Sequence, residues 1–425
     1  MAMNRSLLVV VTATLTLAAT VLVLNFLGGE KVIERRVSRA HSVEDPMFAH
    51  ELGSLLGPAF VGGNRVQVLK NGDQIFPPML RAIRGAKSSI TFESFIYWSG
   101  DIGREFADAL SQRARGGVKV HVLLDWVGSA KMDDSLMAGM VAAGVQIHKF
   151  HPPHWSHLGR LNNRTHRKIL VADGRTAFTG GVGIAPQWTG NAQDPLHWRD
   201  THFQVEGPVV AQMQAVFLDN WIKATGEVLH GEKYFPATTP AGSHAAQMFS
   251  SSPSGGSESM QLMYLMAITA ATRSIDLSAA YFVPDELILR TLIEAIQRGV
   301  KIRIIVPGEH IDSDTVRNAS RARWGGLLSA GAVIAEYQPT MYHCKAMIVD
   351  QFLVSVGSTN FDNRSFRLND EATLNVMDSA FAKEQTVIFE ADMARSRQIT
   401  FAQWRDRPLQ EKLVEKLASL IGSQL

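Results

Sequence analysis

With 425 residues the chain exceeds one ordinary domain and can bury a large core. Its composition, 46% apolar and 19% charged, excludes a disordered polyelectrolyte, and a formal charge of +2 provides no global basic field for nucleic acid. A single cysteine, Cys344, excludes an intrachain disulfide and a cysteine-based zinc site.

The first predicted element is a membrane anchor over residues 1–28. Leu7 to Leu27 carries no charge and is long enough to cross a hydrocarbon core of ~30 Å as a helix. A cleaved signal peptide is the alternative, with Arg5 as its basic flank. The apolar run exceeds the usual leader core, and no Ala-x-Ala site follows. Lys31, Arg35, Arg36 and Arg39 come after the span and only Arg5 before it, which favours a cytoplasmic catalytic part. Residues 29–60 read as a polar linker.

Beyond the linker the chain repeats itself once. GAKSSITFESFIYW, FADALSQRARGGVKVHVLLD, LMAGMVAAGVQIHKF and THRKILVADGRTAFTGGVGI are followed later by AATRSIDLSAAYFV, LIEAIQRGVKIRIIVP, WGGLLSAGAVIAEY and YHCKAMIVDQFLVSVGSTNF. Matching Ile90 to Ile275, Val118 to Val300 and His166 to His343 gives an offset that drifts slowly, the mark of a duplicated domain with small loop indels. Each half predicts β-α-β-α-β-β. Strands are expected over 88–97 and 274–282, helices over 104–115 and 285–298 closed by Gly116 and Gly299, and strands over 118–124 and 300–306. Such alternation implies a mixed α/β sheet covered by helices on both faces. The halves are assigned to residues 61–230 and 258–425, face to face about a pseudo-two-fold axis, with the Pro/Gly/Ser-rich stretch 231–257 as linker.

The last strand of each half is expected to hold His-x-Lys-x4-Asp: His166, Lys168 and Asp173, then His343, Lys345 and Asp350. Residues i and i+2 of a strand share a face, so each His and Lys project together while Arg167 and Cys344 point away. Cys344 is read as a small buried residue. One His-x-Lys is a weak signal; two copies at equivalent places, each followed by a glycine turn, are a strong one. Two imidazoles supply a nucleophile and a proton donor near neutral pH, and two lysines supply positive charge for phosphate oxygens. The motif aspartates fall at strand-end turns and are expected to hold backbone.

These motifs, with WRDTHFQVEGPVV, YFVPD and VGSTNFDNRSFRLNDE, resemble the phospholipase D superfamily, and within it bacterial cardiolipin synthases, from about residue 60 onward. The resemblance implies two phospholipase D-like α/β/α domains, a bilayer-resident phospholipid substrate such as phosphatidylglycerol, a bacterial inner-membrane location, and no cofactor or metal; the near-neutral net charge argues against a nucleic-acid partner. It also implies a phosphohistidine on His166, with His343 as general acid and base. Asp200 and Glu371 are the candidates to orient the imidazoles, and Ser358 and Asn360 to serve the phosphate. Where the family has Gly-Gly-x-Asn after the first motif, this chain has Gly180-Gly181-Val182-Gly183. Hydrolytic phospholipases and nucleases share the double motif and stay open as alternatives.

His148, His151, His154 and His157 are read as a loop at the cleft mouth, and Trp155, Trp188, Trp198 and Trp324 as packing residues. Glu93 either faces the cleft or pairs with an arginine. Beyond Ala382 the tail is expected to form packing helices.

Overall fold

The computed structural model describes residues 5–26, 33, 35–38, 41–153, 162–253, 259–420, 422 and 424. His154, Trp155 and His157, and residues 254–258 of the expected linker, lie outside them.

An exposed apolar helix, Arg5–Phe26, occupies the predicted anchor; its segment Arg5–Val23 has a mean hydropathy of 2.3. The stretch 29–60 is less of a linker than its polarity suggests. Asp45 caps a helix, Pro46–Leu56, through its side chain, and Phe48, Leu52 and Leu56 bury against the core of the second half. The three fall at helical spacing, so one face of this short helix is apolar enough to dock.

Each half forms the predicted succession of elements. In the first, Ser89–Ser94, Asp101–Arg115, Lys119–Asp125, Asp134–Ala142 and Gln146–Phe150 alternate as strand and helix; in the second, Ser274–Ala279, Glu286–Gln297, Lys301–Pro307, Asp314–Ala330 and Val333–Tyr337 do the same. At the first helix end the left-handed residue is Gly117 (φ 85°) rather than Gly116, whereas Gly299 (φ 99°) takes that role in the second half.

The motif strands are Ile169–Ala172 and Lys345–Val349, and they are central rather than last. Thr176–Gly180 and Thr201–Glu206 follow the first, and Leu353–Gly357 and Asn369–Met377 the second. A further strand, His244–Ser251, lies inside the expected 231–257 linker. It pairs antiparallel with Asn369–Met377 and with Val61–Lys70, and so belongs to the second half. Val61–Lys70 is its counterpart in the first half, pairing with Thr201–Glu206. The halves are therefore joined edge to edge in one continuous sheet, with strand order mirrored across that seam.

Twist explains how an edge-to-edge sheet still makes one site. Seven strand-to-strand steps separate Ile169–Ala172 from Lys345–Val349. At roughly 20–25° per step the accumulated rotation approaches half a turn, which brings together ends that a flat sheet would hold apart. Consistent with this curl, Thr176–Gly180 touches Leu353–Gly357 and Asn369–Met377, although these are not neighbours in the strand order. Helices Val209–Thr225 and Ser379–Met393 cover one apolar cluster that spans both halves. Separate clusters lie under the other helices of each half.

Candidate active site

The two histidines sit just before or at the start of their strands, where the backbone leaves the sheet. His166 N–H donates to the Asp370 carbonyl (2.9 Å) and His343 N–H to the Arg199 carbonyl (2.8 Å), so each motif is held by main chain of the opposite half. Lys168 and Lys345 turn back, each donating Nζ–H to the carbonyl of its own histidine at 2.6 and 2.7 Å. All four side chains are nearly buried.

The carboxylates cross over. Glu371, from the second half, pairs with His166 Nδ1 at 2.9 Å, and Asp200, from the first, pairs with His343 Nδ1 at 2.7 Å. Each imidazole thus holds its Nδ1 against a carboxylate and keeps Nε2 for other partners, with Lys345 Nζ 3.2 Å from Nε2 of His343. Further contacts fix Glu371: Ser358 donates its hydroxyl at 2.5 Å and Asn369 its amide at 3.2 Å. Ser358 thereby supports the carboxylate. Asn360 is buried, and its side-chain oxygen has no hydrogen-bond partner among the described residues.

In the first half Gly181 stands where Ser358 would be, because a Cβ there would come within 2.3 Å of Asp200 Oδ1. The missing hydroxyl is replaced by Trp188, whose indole N–H donates to Asp200 Oδ2 at 3.0 Å. Trp188 and Trp198 also enclose His343, each with its ring centre 5.3 Å away. Gly183, where the asparagine is absent, leaves no room for one: a Cβ would lie 2.7 Å from Ile96 Cβ and 3.1 Å from the Trp188 ring. On the other side, Phe95 packs edge-on against His166 at 5.1 Å and lies 5.3 Å under the Lys168 ammonium. Trp188 and Trp198, expected as packing residues, thus pack on a motif histidine, and Phe95 is a wall with no signal of its own in the sequence. The WRD triplet, with tryptophan two residues before the orienting aspartate, is the signal that marks one of them.

Burial sets the electrostatics. It pushes His166 down to about 4, opposed by Glu371, and His343 down to about 3, helped by Lys345 and opposed by Asp200. Both rings rest neutral. Burial also drives Lys168 down to about 7 and lowers Lys345. It acts to raise Asp200 and Glu371, yet His343 and His166 respectively hold both carboxyls below their ordinary range. Lys345 acts on His166 and Lys168 on His343, so the two motifs share one electrostatic site.

Asp173 and Asp350 occupy left-handed turns (φ 53° each) away from this cleft. The Asp173 carboxylate accepts backbone N–H bonds from Lys87, Ser88 and Ser89, and Asp350 accepts them from Thr272, Arg273 and Ser274. Behind the histidines, Arg167 bonds Asp219 at 3.0 Å, and Arg199 grips Asp392 through two bonds of 2.9 and 2.8 Å. Glu93 is fully buried and bonds Thr165 and Asn220; burial lifts it to about 7. His148 packs on Trp221 and His151 on Phe150, while Trp324 lies in the second-half core.

The doubled α/β fold brings together two His-Lys pairs and crossed carboxylates, a set of groups suited to phosphodiester chemistry. The family model described as "Cardiolipin synthase, PLD-like domain" matches residues 79–221 and 264–393, and the chain belongs to that family. Cardiolipin synthase A of Pseudomonas fluorescens Pf-5 is 34% identical over 92% of this chain and 81% of its own length. Cardiolipin synthase 2 of Bacillus anthracis is 33% identical over 93% and 77%. In fold, the chain is similar to the phosphatidylserine synthase of Haemophilus influenzae Rd KW20, with a TM-score of 0.69 at 13% identity over 89% of this chain and 99% of that one.

Proposed function

We propose that the chain is a membrane-bound phosphatidyltransferase of the cardiolipin synthase type, moving a phosphatidyl group from one phosphatidylglycerol to another. The carrying observation is the crossed pairing of Glu371 with His166 and of Asp200 with His343, which fits two neutral imidazoles for separate roles. The relatives' names point to the same reaction.

In the first step His166 Nε2 attacks phosphorus, the P–N bond forms, and the P–O bond to the glycerol headgroup breaks. His343 gives the leaving alkoxide its proton. The resting His343 is neutral, with Lys345 Nζ 3.2 Å from its Nε2. An arriving phosphodiester attracts the lysines and raises the imidazole, so the proton is acquired with the substrate. In the second step the terminal hydroxyl of another phosphatidylglycerol gives its proton back to His343 and attacks phosphorus. The P–N bond breaks, and the products are cardiolipin and glycerol. Lys168, Lys345 and Asn360 hold the non-bridging oxygens. Cationic residues after the anchor place this chemistry on the cytoplasmic side.

Incubating the purified full chain with phosphatidylglycerol labelled in its headgroup glycerol tests the reading. Cardiolipin and free labelled glycerol are expected. Phosphatidic acid as the sole lipid product makes the enzyme a hydrolase, and an untouched lipid rejects the reading.

A further inference from the structure

The last helix is built inside out. In Leu409–Ser419 the charged Glu415 is only 1% exposed, bonded to Arg321 Nε at 3.0 Å and Arg407 Nε at 2.8 Å. Its leucines face outward instead: Leu409, Leu413, Leu417 and, one residue past the helix, Leu420 are 81, 60, 58 and 73% exposed, with Val414 beside them. At about 100° per residue these four leucines fall within a stripe of roughly 80°. Lys412 and Lys416 border one side of the stripe. An apolar stripe with a basic border, turned away from the protein, is the form of a helix that lies in a bilayer surface.

Its position argues for the bilayer as occupant. Just beyond the helix, Gly422 and Gln424 carbonyls accept from Asn363 (3.1 Å) and Arg364 (2.9 Å), and the Gln424 side chain accepts from Asn162 (2.9 Å). Asn363 follows Asn360 by three residues and Asn162 precedes His166 by four, so the helix is moored to the rim of the active site. Ile33, seven residues after the anchor helix, is tied to the same rim. Ile33 N–H donates to Gln261 (3.4 Å), Gln261 bonds Asp285, and Asp285 pairs with Arg367, which closes the short helix Asn363–Arg367. From Phe26 to Ile33 the chain reaches at most about 25 Å, which keeps that rim close to the bilayer.

We infer that Leu409–Ser419 is an interfacial helix that seats the active-site mouth on the anionic lipid surface. The anchor tethers the enzyme, and this second contact orients it. The inference rests on the lipid-substrate reading for its benefit to turnover, but the contact itself is measurable without catalysis.

The full chain, reconstituted in phosphatidylglycerol/phosphatidylcholine vesicles, carries a nitrobenzoxadiazole label on Leu413→Cys or, on the opposite side, on Glu411→Cys. Cys344 is buried, which confines labelling to the introduced thiol. Blue-shifted emission quenched by nitroxide lipids is expected at 413 and not at 411; equal, water-like emission at both overturns the inference. Leu413→Glu/Leu417→Glu is expected to lower turnover of long-chain phosphatidylglycerol in vesicles about tenfold and to leave that of monomeric dihexanoyl phosphatidylglycerol unchanged. Equal losses on both substrates overturn it. So does a light-scattering mass in detergent that falls from dimer to monomer, because the stripe would then be covered by a second copy. Label insertion without any cardiolipin formation keeps the surface contact and rejects the catalytic reading alone.

Discussion

Each imidazole depends on a carboxylate that approaches from the other repeat, so the two orienting groups should fail in different ways. Glu371→Gln should slow the first chemical step about 100-fold or more by loosening the His166 tautomer. Asp200→Asn should act on the acid and base role proposed for His343, so that labelled phosphohistidine accumulates after mixing with substrate. Rapid quench of both variants separates the outcomes; accumulation in the Glu371 variant instead exchanges the histidine roles. The lysines permit a prediction with a sign. Lys168 sits at about 7 against ~10.4 when free, so its contribution to stability exists only above the free value and is lost as pH falls toward 7. At pH 6 the buried ammonium works against folding. Lys168→Met should therefore raise the unfolding free energy by about 1–2 kcal/mol in urea titrations while abolishing transfer. His166, held at about 4, favours the fold fully above ~6.5 and loses that contribution between ~6.5 and 4. A His166→Phe variant should accordingly lose less stability than the parent over that interval.

At the scale of elements, the loop after Thr176–Gly180 shows how one repeat has diverged. Trp188 and Ile96 fill the space in which the second half keeps Asn360. Gly183→Asn should therefore not repair the motif; it should cost about 1–3 kcal/mol by overpacking and lower activity, and Ile96→Ala in the same chain should recover part of the stability. Thermal unfolding of the single and double variants checks both. Sequence legibility follows the same division between local and distant causes. The His-x-Lys motifs and the β-α-β-α-β-β order were readable, because repetition and hydrophobic period are local properties. The strand His244–Ser251 was not, as Pro- and Ser-rich flanks hid it and its partners lie far away in the chain. The docked helix Pro46–Leu56 was masked by the polar residues around it. For Leu409–Ser419 the helical spacing was plain in the sequence, but spacing alone does not say which side meets protein. Nor did it reveal which histidine Asp200 and Glu371 would serve, since that depends on how the sheet twists.

For the whole molecule, crossed pairing makes the duplication obligatory. Residues 1–230 or 231–425 expressed alone should show no transfer, since each would carry a histidine without its carboxylate and an unpaired sheet edge at the seam. Co-expression of the two pieces should restore cardiolipin formation in membranes if the seam re-forms; activity in either piece alone would contradict the shared site. The continuous sheet also restricts motion. Enzymes whose lobes meet through a soft interface can open like jaws about a hinge. Here the lobes are stitched by main-chain hydrogen bonds between Val61–Lys70 and His244–Ser251, so a jaw motion would tear a sheet. Traffic through the cleft must instead be governed by surface loops and by the lipid face itself. Glycerol can depart into water while both bulky lipid chains remain in the membrane, and the exchange of one small alcohol for one large one needs no change in the relative position of the two halves.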